Sequence, residues 1–315
     1  MTTPQELVEH ALATSTSNQC IAIARASTAA NLRWANNTLT TNGVMQGAGL
    51  TVIAFHDRPE GVAAASVSGS ATTREQVAAL VESADAAAAL ADPAEDANPL
   101  VDGRVSDDWE NPPAETSIRV FDTFAPELGE VFGRSQDRVH YGFVSHDVVT
   151  TYVGSSTGLR LRHEQPSGYY GWTGKSSDLS RSAWVGGQAL DFDAVSATAL
   201  DDELVRRLRW AERRIDLQPG RHDTILPPTS VADLMIYAYW SAGARVAHEG
   251  QSVFSSRSGG TRVGEQVARD GVRLLSDPTH PGIEAAPFVI ASSSGNTSSV
   301  FDNGLPLAAT DWIAD

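Results

Sequence analysis

The sequence has a single cysteine, few basic residues and no long apolar run. Cys20 is the only cysteine among 315 residues, which excludes a disulfide framework and a cysteine-based zinc knuckle. Because it lies in an apolar stretch, we interpret Cys20 as a buried small hydrophobe rather than a nucleophile. The formal net charge of −16 argues against nucleic acid or an anionic membrane as a partner.

Signals for export and for membrane insertion are also missing. Residues 1–13 do not combine a basic segment with an apolar core, which is the pattern of a signal peptide. No stretch has the apolar length that a membrane-spanning helix needs. We therefore expect a soluble, cytoplasmic protein, and its length is sufficient for two domains.

The pattern of apolar residues predicts an α+β fold. We place an N-terminal domain of sheet and helices at residues 1–220, with an acidic, proline-rich linker near 91–116. A β-rich C-terminal domain starts within 221–315 and is entered through one long helix over 230–249, with Ser230 as its N-cap. The other helices are predicted over residues 3–14, 73–90 and 201–214.

Short strands joined by polar turns are typical of an antiparallel meander. Residues 36–43, Asn-Asn-Thr-Leu-Thr-Thr-Asn-Gly, are predicted to form one of the turns. The predicted strands cover residues 20–26, 31–36, 50–55, 61–67, 139–145, 148–153, 159–164 and 168–173.

Three aromatic residues lie close together in the last of these strands. Alternation places Tyr170 and Trp172 on one face and Tyr169 on the other. Tyr170 and Trp172 could form a shelf that binds an unfolded peptide. The alternative is ordinary packing on the sheet, because aromatic residues favour strands.

The predicted helix over 230–249 ends in half of a zinc-peptidase motif. That chemistry needs two histidines on one helix face to hold the metal, and a glutamate that accepts a proton from metal-bound water. His248 and Glu249 are present, but Ser252 stands where HExxH needs the second histidine and Val253 stands where HExxxH needs it. The alternative is a histidine that only complements the helix dipole in the last turn.

Two segments carry a resemblance to a known family: AHEGQSVFSSRSGGTRVGEQVA around His248 and NLRWANNTLTTNG near the N-terminus. Together they resemble the TldD/PmbA family, whose paired subunits form a peptidase. The resemblance implies a TldD/PmbA-like fold and makes the N-terminal segment a family signature, although its residues are also ordinary turn formers. The signature residues are Asn31, Arg33, Asn36, Asn37, Thr40 and Thr41.

The resemblance also implies a function. TldD-type subunits carry HExxxH and bind zinc, whereas PmbA-type (TldE-type) subunits have the same fold without those ligands. With Val253 in place of the second histidine, this chain resembles the PmbA type. We therefore expect no metal or cofactor in this chain, a zinc-bearing TldD-type partner in a heterodimer or higher oligomer, and unfolded peptide as the substrate.

Two other functions remain open from the sequence. The chain could be an active zinc metallopeptidase, with His248 as a ligand and Glu249 as the base, or a peptide-binding protein unrelated to proteolysis. Chains of the family continue beyond the length seen here, so the resemblance also implies a C-terminally truncated sequence that lacks later strands.

Overall fold

The computed structural model describes residues 2–314, which form two compact units. The first, the sheet unit, comprises the residues up to Ala94 together with Asp102–Ile215. The second, the C-terminal unit, comprises Glu95–Val101 and the residues from Asp216 onward. Helices and antiparallel strands occur together, and the predicted α+β class is confirmed.

The sheet unit is built on one antiparallel sheet. Its strands are β1 (Gln19–Ala35), β2 (Thr38–Arg58), β3 (Gly61–Gly69), β4 (Arg138–Ser155), β5 (Arg160–Ser176) and β6 (Ser182–Ala189). They lie in the order β3-β2-β1-β4-β5-β6, so the first strand of the chain is central in the sheet.

Four helices cover one face of this sheet and make two hydrophobic cores. They are α1 (Pro4–Thr14), α2 (Arg74–Leu90), α3 (Phe124–Arg134) and α4 (Ala197–Trp210), with a short 3₁₀ helix at Ile118–Phe121. The helix α1 packs on β1 and α2 packs on β2 and β3. Cys20 is buried in this core, and burial raises the pKa of its thiol to about 12. The other core contains Trp34, Leu128 and Leu204.

The two helices that begin with a threonine N-cap start within one residue of the predicted position. Thr3 caps α1 with a complete capping box and Pro4 follows it, so the helix starts within the predicted range. Thr73 caps α2 in the same way. The last helix of the unit starts earlier than predicted, because the Ser196 hydroxyl accepts a hydrogen bond from the Ala199 N–H.

Several predicted strands are parts of longer ones. Residues 20–26 and 31–35 belong to the single strand β1, and only Asn36 and Asn37 form the turn that was predicted over 36–43. Residues 38–43 already belong to β2. The prediction was wrong because polar residues on an exposed strand resemble a loop when only the sequence is read.

The acidic, proline-rich segment predicted as a linker is held against the sheet unit over much of its length. Trp109 is buried and packs edge-on against Tyr152, with ring centroids 5.6 Å apart. Gln5 Nε2 donates to the Trp109 carbonyl at 3.0 Å, and Arg162 pairs with Asp108 at 2.9 Å. This part of the segment is therefore a structural element of the unit.

The C-terminal unit contains α5 (Pro228–Trp240), α6 (Ala244–His248), a 3₁₀ helix at Val300–Asp302, and the paired strands β7 (Leu274–Ser276) and β8 (Thr310–Ile313). The single helix predicted over 230–249 is wrong: α5 begins at Pro228 after the N-cap Pro227 and stops before Gly243. The Ser241 hydroxyl bonds back to the Tyr237 carbonyl at 2.7 Å, and glycine is a poor helix former, so both residues favour the break.

We predict that Trp109→Ala destabilises the protein by about 3–5 kcal/mol, the usual cost of removing a buried tryptophan. Glu110→Ala is the matched control, because the neighbouring side chain is exposed and should change stability by less than about 0.5 kcal/mol. Urea unfolding of both variants checks this. Equal free energies of unfolding for the two variants would show that the segment only connects its neighbours and does not stabilise the unit.

Candidate functional site

His248 and Glu249 lie at the exposed end of the short helix α6. His248 is the last helical residue and Glu249 is the C-cap. The Glu249 carboxylate accepts a hydrogen bond from Arg245 Nε at 3.0 Å, and Arg245 also pairs with Glu95 at 2.8 Å. The carboxylate that would have to act as a base is therefore held in a surface ion pair.

The chain turns away from the helix directly after this pair. Gly250 has a φ of 81°, and Val253 lies in the following loop with 73% of its surface exposed. Within residues 2–314, no three His, Cys, Asp or Glu side chains are grouped so that they could hold a metal ion. In this part of the chain, the donors near His248 do not make up the three protein ligands of a catalytic zinc site.

The signature turn consists of Asn36 and Asn37, whose φ angles are 52° and 58°. Asparagine tolerates this left-handed conformation, and two such residues make the primed turn of a tight hairpin. Asn37 Nδ2 donates to the carbonyls of Ser135 (3.3 Å) and Arg138 (3.0 Å), and Asn37 Oδ1 accepts from the His140 backbone N–H at 2.7 Å. Asn37 thus fixes the hairpin to the connection between α3 and β4.

A buried cluster beneath this connection has the residue types of a catalytic triad: Ser135, His140 and Asp201. Its hydrogen bonds run in the wrong direction for catalysis. The Trp172 indole can only donate, and it donates to His140 Nδ1 at 3.0 Å. In the neutral ring, Nε2 therefore carries the hydrogen and donates to Ser135 Oγ at 2.9 Å, while the serine hydroxyl donates to the Val131 carbonyl at 2.7 Å. Such a histidine cannot accept the serine proton.

The imidazole of His140 is kept neutral by its surroundings. Burial lowers its pKa to about 4, although Asp201 Oδ1 lies 3.6 Å from Nε2 and opposes the shift. The Asp201 carboxylate is itself paired with Arg138 at 2.7 Å and with Arg134 at 2.9 Å. We interpret the cluster as a structural network in which each polar group has a partner.

Three signature residues lie on the sheet face opposite the helices, namely Asn31, Arg33 and Thr41. Arg33 is in register with Thr41 on β2 and with Phe143 on β4, and its guanidinium lies 5.4 Å from the centre of the Phe143 ring. Asn31 lies two residues away on the same face, in register with Ser145. Thr40 is the extra residue of a β-bulge, and its hydroxyl donates to the Arg33 carbonyl at 3.1 Å.

The side chains of β5 alternate between the two faces of the sheet, as predicted. The face that points outward carries Tyr169, whereas Tyr170 and Trp172 lie on the core face. Trp172 is 1% exposed, packs edge-on against Trp34 at 5.2 Å, and therefore cannot line an open shelf. Tyr170 packs against the same core. Tyr169 is 42% exposed and stands opposite Ser145, in line with Asn31.

The open face is the name we give to five residues on the sheet face opposite the helices: Asn31, Arg33, Thr41, Phe143 and Tyr169. Sequence reasoning grouped the first three by resemblance but missed Phe143 and Tyr169. Alternation along β4 and β5 was the available signal for these two, once the core face of each strand was known.

Residues 219–315 match the sequence profile of the PmbA/TldA metallopeptidase C-terminal domain. No curated protein matches the sequence significantly. This stretch is similar to PmbA/TldD-type C-terminal domains. The predicted resemblance to the TldD/PmbA family is thereby confirmed.

Solved structures with the same fold cover 98% of this chain. TldE from Thermococcus kodakarensis has a TM-score of 0.69 at 15% identity, and 67% of its chain is covered. Proteins titled modulators of DNA gyrase come from Thermotoga maritima (0.68, 14%) and Bacteroides thetaiotaomicron (0.67, 11%), and 68% of each is covered. At these identities the likeness shows the fold alone.

The two candidate regions differ in their relation to the PmbA/TldD-type domain. The half motif at His248 and Glu249 lies within the matched residues, whereas the signature turn and the open face lie outside them. None of the helices within residues 2–314 combines the length and the apolar character that crossing a bilayer requires.

We predict that Asn37→Gly lowers the free energy of unfolding by about 1–3 kcal/mol. Glycine keeps the left-handed turn but removes three hydrogen bonds, and Asn37→Ala should cost about 1 kcal/mol more through backbone strain. Asn36→Gly is the matched control, since it removes only the bond from the Tyr141 hydroxyl at 2.6 Å. Equal losses for the two glycine variants in urea unfolding would contradict the assigned role of Asn37.

We also predict that His140 makes stability depend on pH. The unfolded chain binds a proton at this histidine below about pH 6.5, whereas the folded chain binds one only below about pH 4. The contribution of His140 to the free energy of unfolding is therefore fully present above pH 6.5. It is lost between pH 6.5 and 4, by roughly 3 kcal/mol in total. His140→Gln should be less stable at pH 7 but show a shallower decline. Parallel pH profiles of urea unfolding for the two proteins would refute this.

Proposed function

We propose that this chain is the metal-free, PmbA-type (TldE-type) subunit of a cytoplasmic metallopeptidase complex that degrades or processes unstructured peptides. A TldD-type homologue supplies the zinc, and the two chains form a heterodimer or higher oligomer. The observation that carries the proposal is the incomplete motif at the end of α6, where His248 and Glu249 are followed by Val253.

The geometry of α6 supports this proposal. A peptidase base must be free to take a proton from metal-bound water. The Glu249 carboxylate instead accepts a hydrogen bond from Arg245 Nε at 3.0 Å in a surface ion pair. The short helix ends at His248, so Val253 lies beyond it and does not share a helix face with His248.

The sheet unit supports a role in holding peptide or partner. The open face combines the guanidinium of Arg33 and the amide of Asn31, which can donate hydrogen bonds to a peptide backbone, with the exposed ring of Tyr169, which offers an apolar surface to side chains. The fold shared with a protein named TldE agrees with the same assignment.

We expect peptidase activity on an unstructured peptide such as casein only when this chain is co-expressed with an HExxxH-bearing homologue. Elemental analysis should find no stoichiometric zinc in the isolated chain and zinc in the complex. His248→Ala in this chain should leave the activity of the complex within about twofold, because the residue holds no metal here. Glu→Gln within the partner's HExxxH motif is the matched loss-of-function control, since it removes the general base.

Zinc bound by the isolated chain and lost in His248→Ala would overturn the proposal in favour of an active metallopeptidase. Failure to bind any HExxxH-bearing homologue, together with binding of casein, would favour the peptide-binding alternative.

A further inference from the structure

Two aromatic rings on the outward side of the sheet lie over a pair of glycines. Gly171 in β5 and Gly186 in β6 are paired in register. A Cβ atom added to Gly171 would lie 2.4 Å from the Tyr169 hydroxyl oxygen, and one added to Gly186 would lie 2.1 Å from the indole ring of Trp184. Only glycine leaves room for these rings to lie against the sheet, so the glycine pair fixes where they sit.

The two rings belong to a line of side chains that crosses the sheet. Gly171 pairs in register with Phe143 of β4, which pairs in turn with Arg33 of β1. The line therefore runs from β1 to β6, with a guanidinium at one end and an indole at the other. We call the side chains on this line the aromatic row: Arg33, Phe143, Tyr169 and Trp184.

The aromatic row presents open ring faces and unused hydrogen-bond donors. Tyr169 and Trp184 are 42% and 46% exposed. Within residues 2–314, the Tyr169 hydroxyl and the Trp184 indole N–H have no hydrogen-bond partner. In the same part of the chain, the exposed guanidinium of Arg33 contacts the Phe143 ring but has no ion pair. Open ring faces stack on flat rings, and a free guanidinium pairs with an anion.

The charge around the row favours an anionic ligand. Residues 31–35, 141–145, 169–175 and 182–188, which contain the row and its neighbours, have no aspartate or glutamate. They contribute two cations, Arg33 and Lys175, and the Lys175 ammonium lies 5.6 Å from the centre of the Tyr141 ring. Such a region is unusual in a chain with a net charge of −16, and its charge complements a carboxylate.

The spacing of the row indicates how the groups of the ligand are arranged. Neighbouring strands are about 4.8 Å apart, so the Tyr169 and Trp184 rings lie about one and two strand spacings from the Phe143 position that carries the guanidinium. In a peptide, consecutive Cα atoms are about 3.8 Å apart, so a ring and a carboxylate at this separation belong to one residue or to neighbours. A nucleotide also combines a ring with an anion, but the negative net charge of the chain disfavours phosphate.

We propose that the aromatic row binds peptide segments in which an aromatic side chain stands next to a carboxylate. Arg33 pairs with the carboxylate, which belongs to an acidic side chain or to the peptide C-terminus, and the rings of Tyr169 and Trp184 stack on the aromatic side chain. The choice of a peptide rests on the proposed function, whereas the combination of ring and carboxylate rests on the geometry of the row.

Calorimetric titration of the chain with short acetylated peptides tests the ligand chemistry. Gly-Asp-Phe-Gly amide should bind at least tenfold more tightly than Gly-Asn-Phe-Gly amide, which lacks the charge, and Gly-Asp-Ala-Gly amide, which lacks the ring. Tighter binding of Gly-Gly-Phe as the free acid than of Gly-Asp-Phe-Gly amide would assign the carboxylate to the C-terminus, and the reverse order to an acidic side chain. Equal affinities for the Asp, Asn and Ala peptides, or tighter binding of adenosine monophosphate than of any peptide, would overturn the proposal.

Replacements in the row should weaken binding of the preferred peptide. Arg33→Gln and Trp184→Ala should each lower the affinity at least tenfold. Arg25→Gln is the matched control for the charge, because Arg25 is exposed on the same face of β1 but lies eight residues away. Trp210→Ala is the control for the ring, since Trp210 is 64% exposed on α4. Both controls should bind like the wild type.

Gly171→Ala tests the position of the rings without removing a binding group. The added methyl group displaces the Tyr169 ring, so the affinity should fall severalfold although every side chain of the row is present. Thermal unfolding of each variant shows whether it is folded. A folded Gly171→Ala variant with the affinity of the wild type would contradict the assigned geometry.

The outcomes separate this inference from the proposed function. If the row variants bind peptide like the wild type while the complex with the HExxxH-bearing homologue degrades casein, the inference fails and the proposed function stands. If no active complex forms but peptide binding depends on Arg33 and Trp184 as described, the proposed function fails and the inference stands. If the isolated chain binds the peptide and the complex does not, the row is covered in the assembly and the inference is overturned.

Discussion

The pairing of β1 with a strand on each side is the constraint on which the rest of the sheet unit depends. Side chains alternate along a strand, so the register of β1 sends Leu32 and Trp34 into the core and Asn31 and Arg33 to the open face. A slip of one residue would exchange the two sets. The two-residue turn at Asn36 and Asn37 sets this register on one side.

The same turn connects the sheet with the helical layer. Asn37 bonds to backbone groups about one hundred residues later in the chain, directly beside the buried His140. His140 in turn links Trp172 in β5 to Ser135 at the end of α3. Hairpin, helix end and core are therefore held by one connected set of hydrogen bonds, in which a loss at one point leaves buried groups unpaired.

Local signals were sufficient to predict some parts of this structure. Thr3, followed by Pro4 and Glu6, specifies the start of α1 through backbone groups only a few residues away. Alternation correctly separated Tyr169 from Trp172, because it depends only on strand geometry. The α+β class followed from such local patterns.

Other parts depend on contacts that are distant in sequence. The extension of β2 through polar residues 38–43 is set by pairing with β1, and the burial of Trp109 by a surface formed from α1 and β4. The bonds of His140 depend on residues brought together from three elements. Neither periodicity nor motif spacing carries information about such distant contacts. For this reason the buried cluster around His140 was not predicted, and the linker was predicted to be longer than it is.

A metal site and a sheet edge respond differently to sequence change. Coordination requires several ligands at fixed distances, so the replacement of one ligand removes the function of the whole set. Strand pairing uses backbone groups that every residue other than proline provides, and it is blocked mainly by charge or proline. A chain without metal ligands can therefore retain the full capacity to assemble.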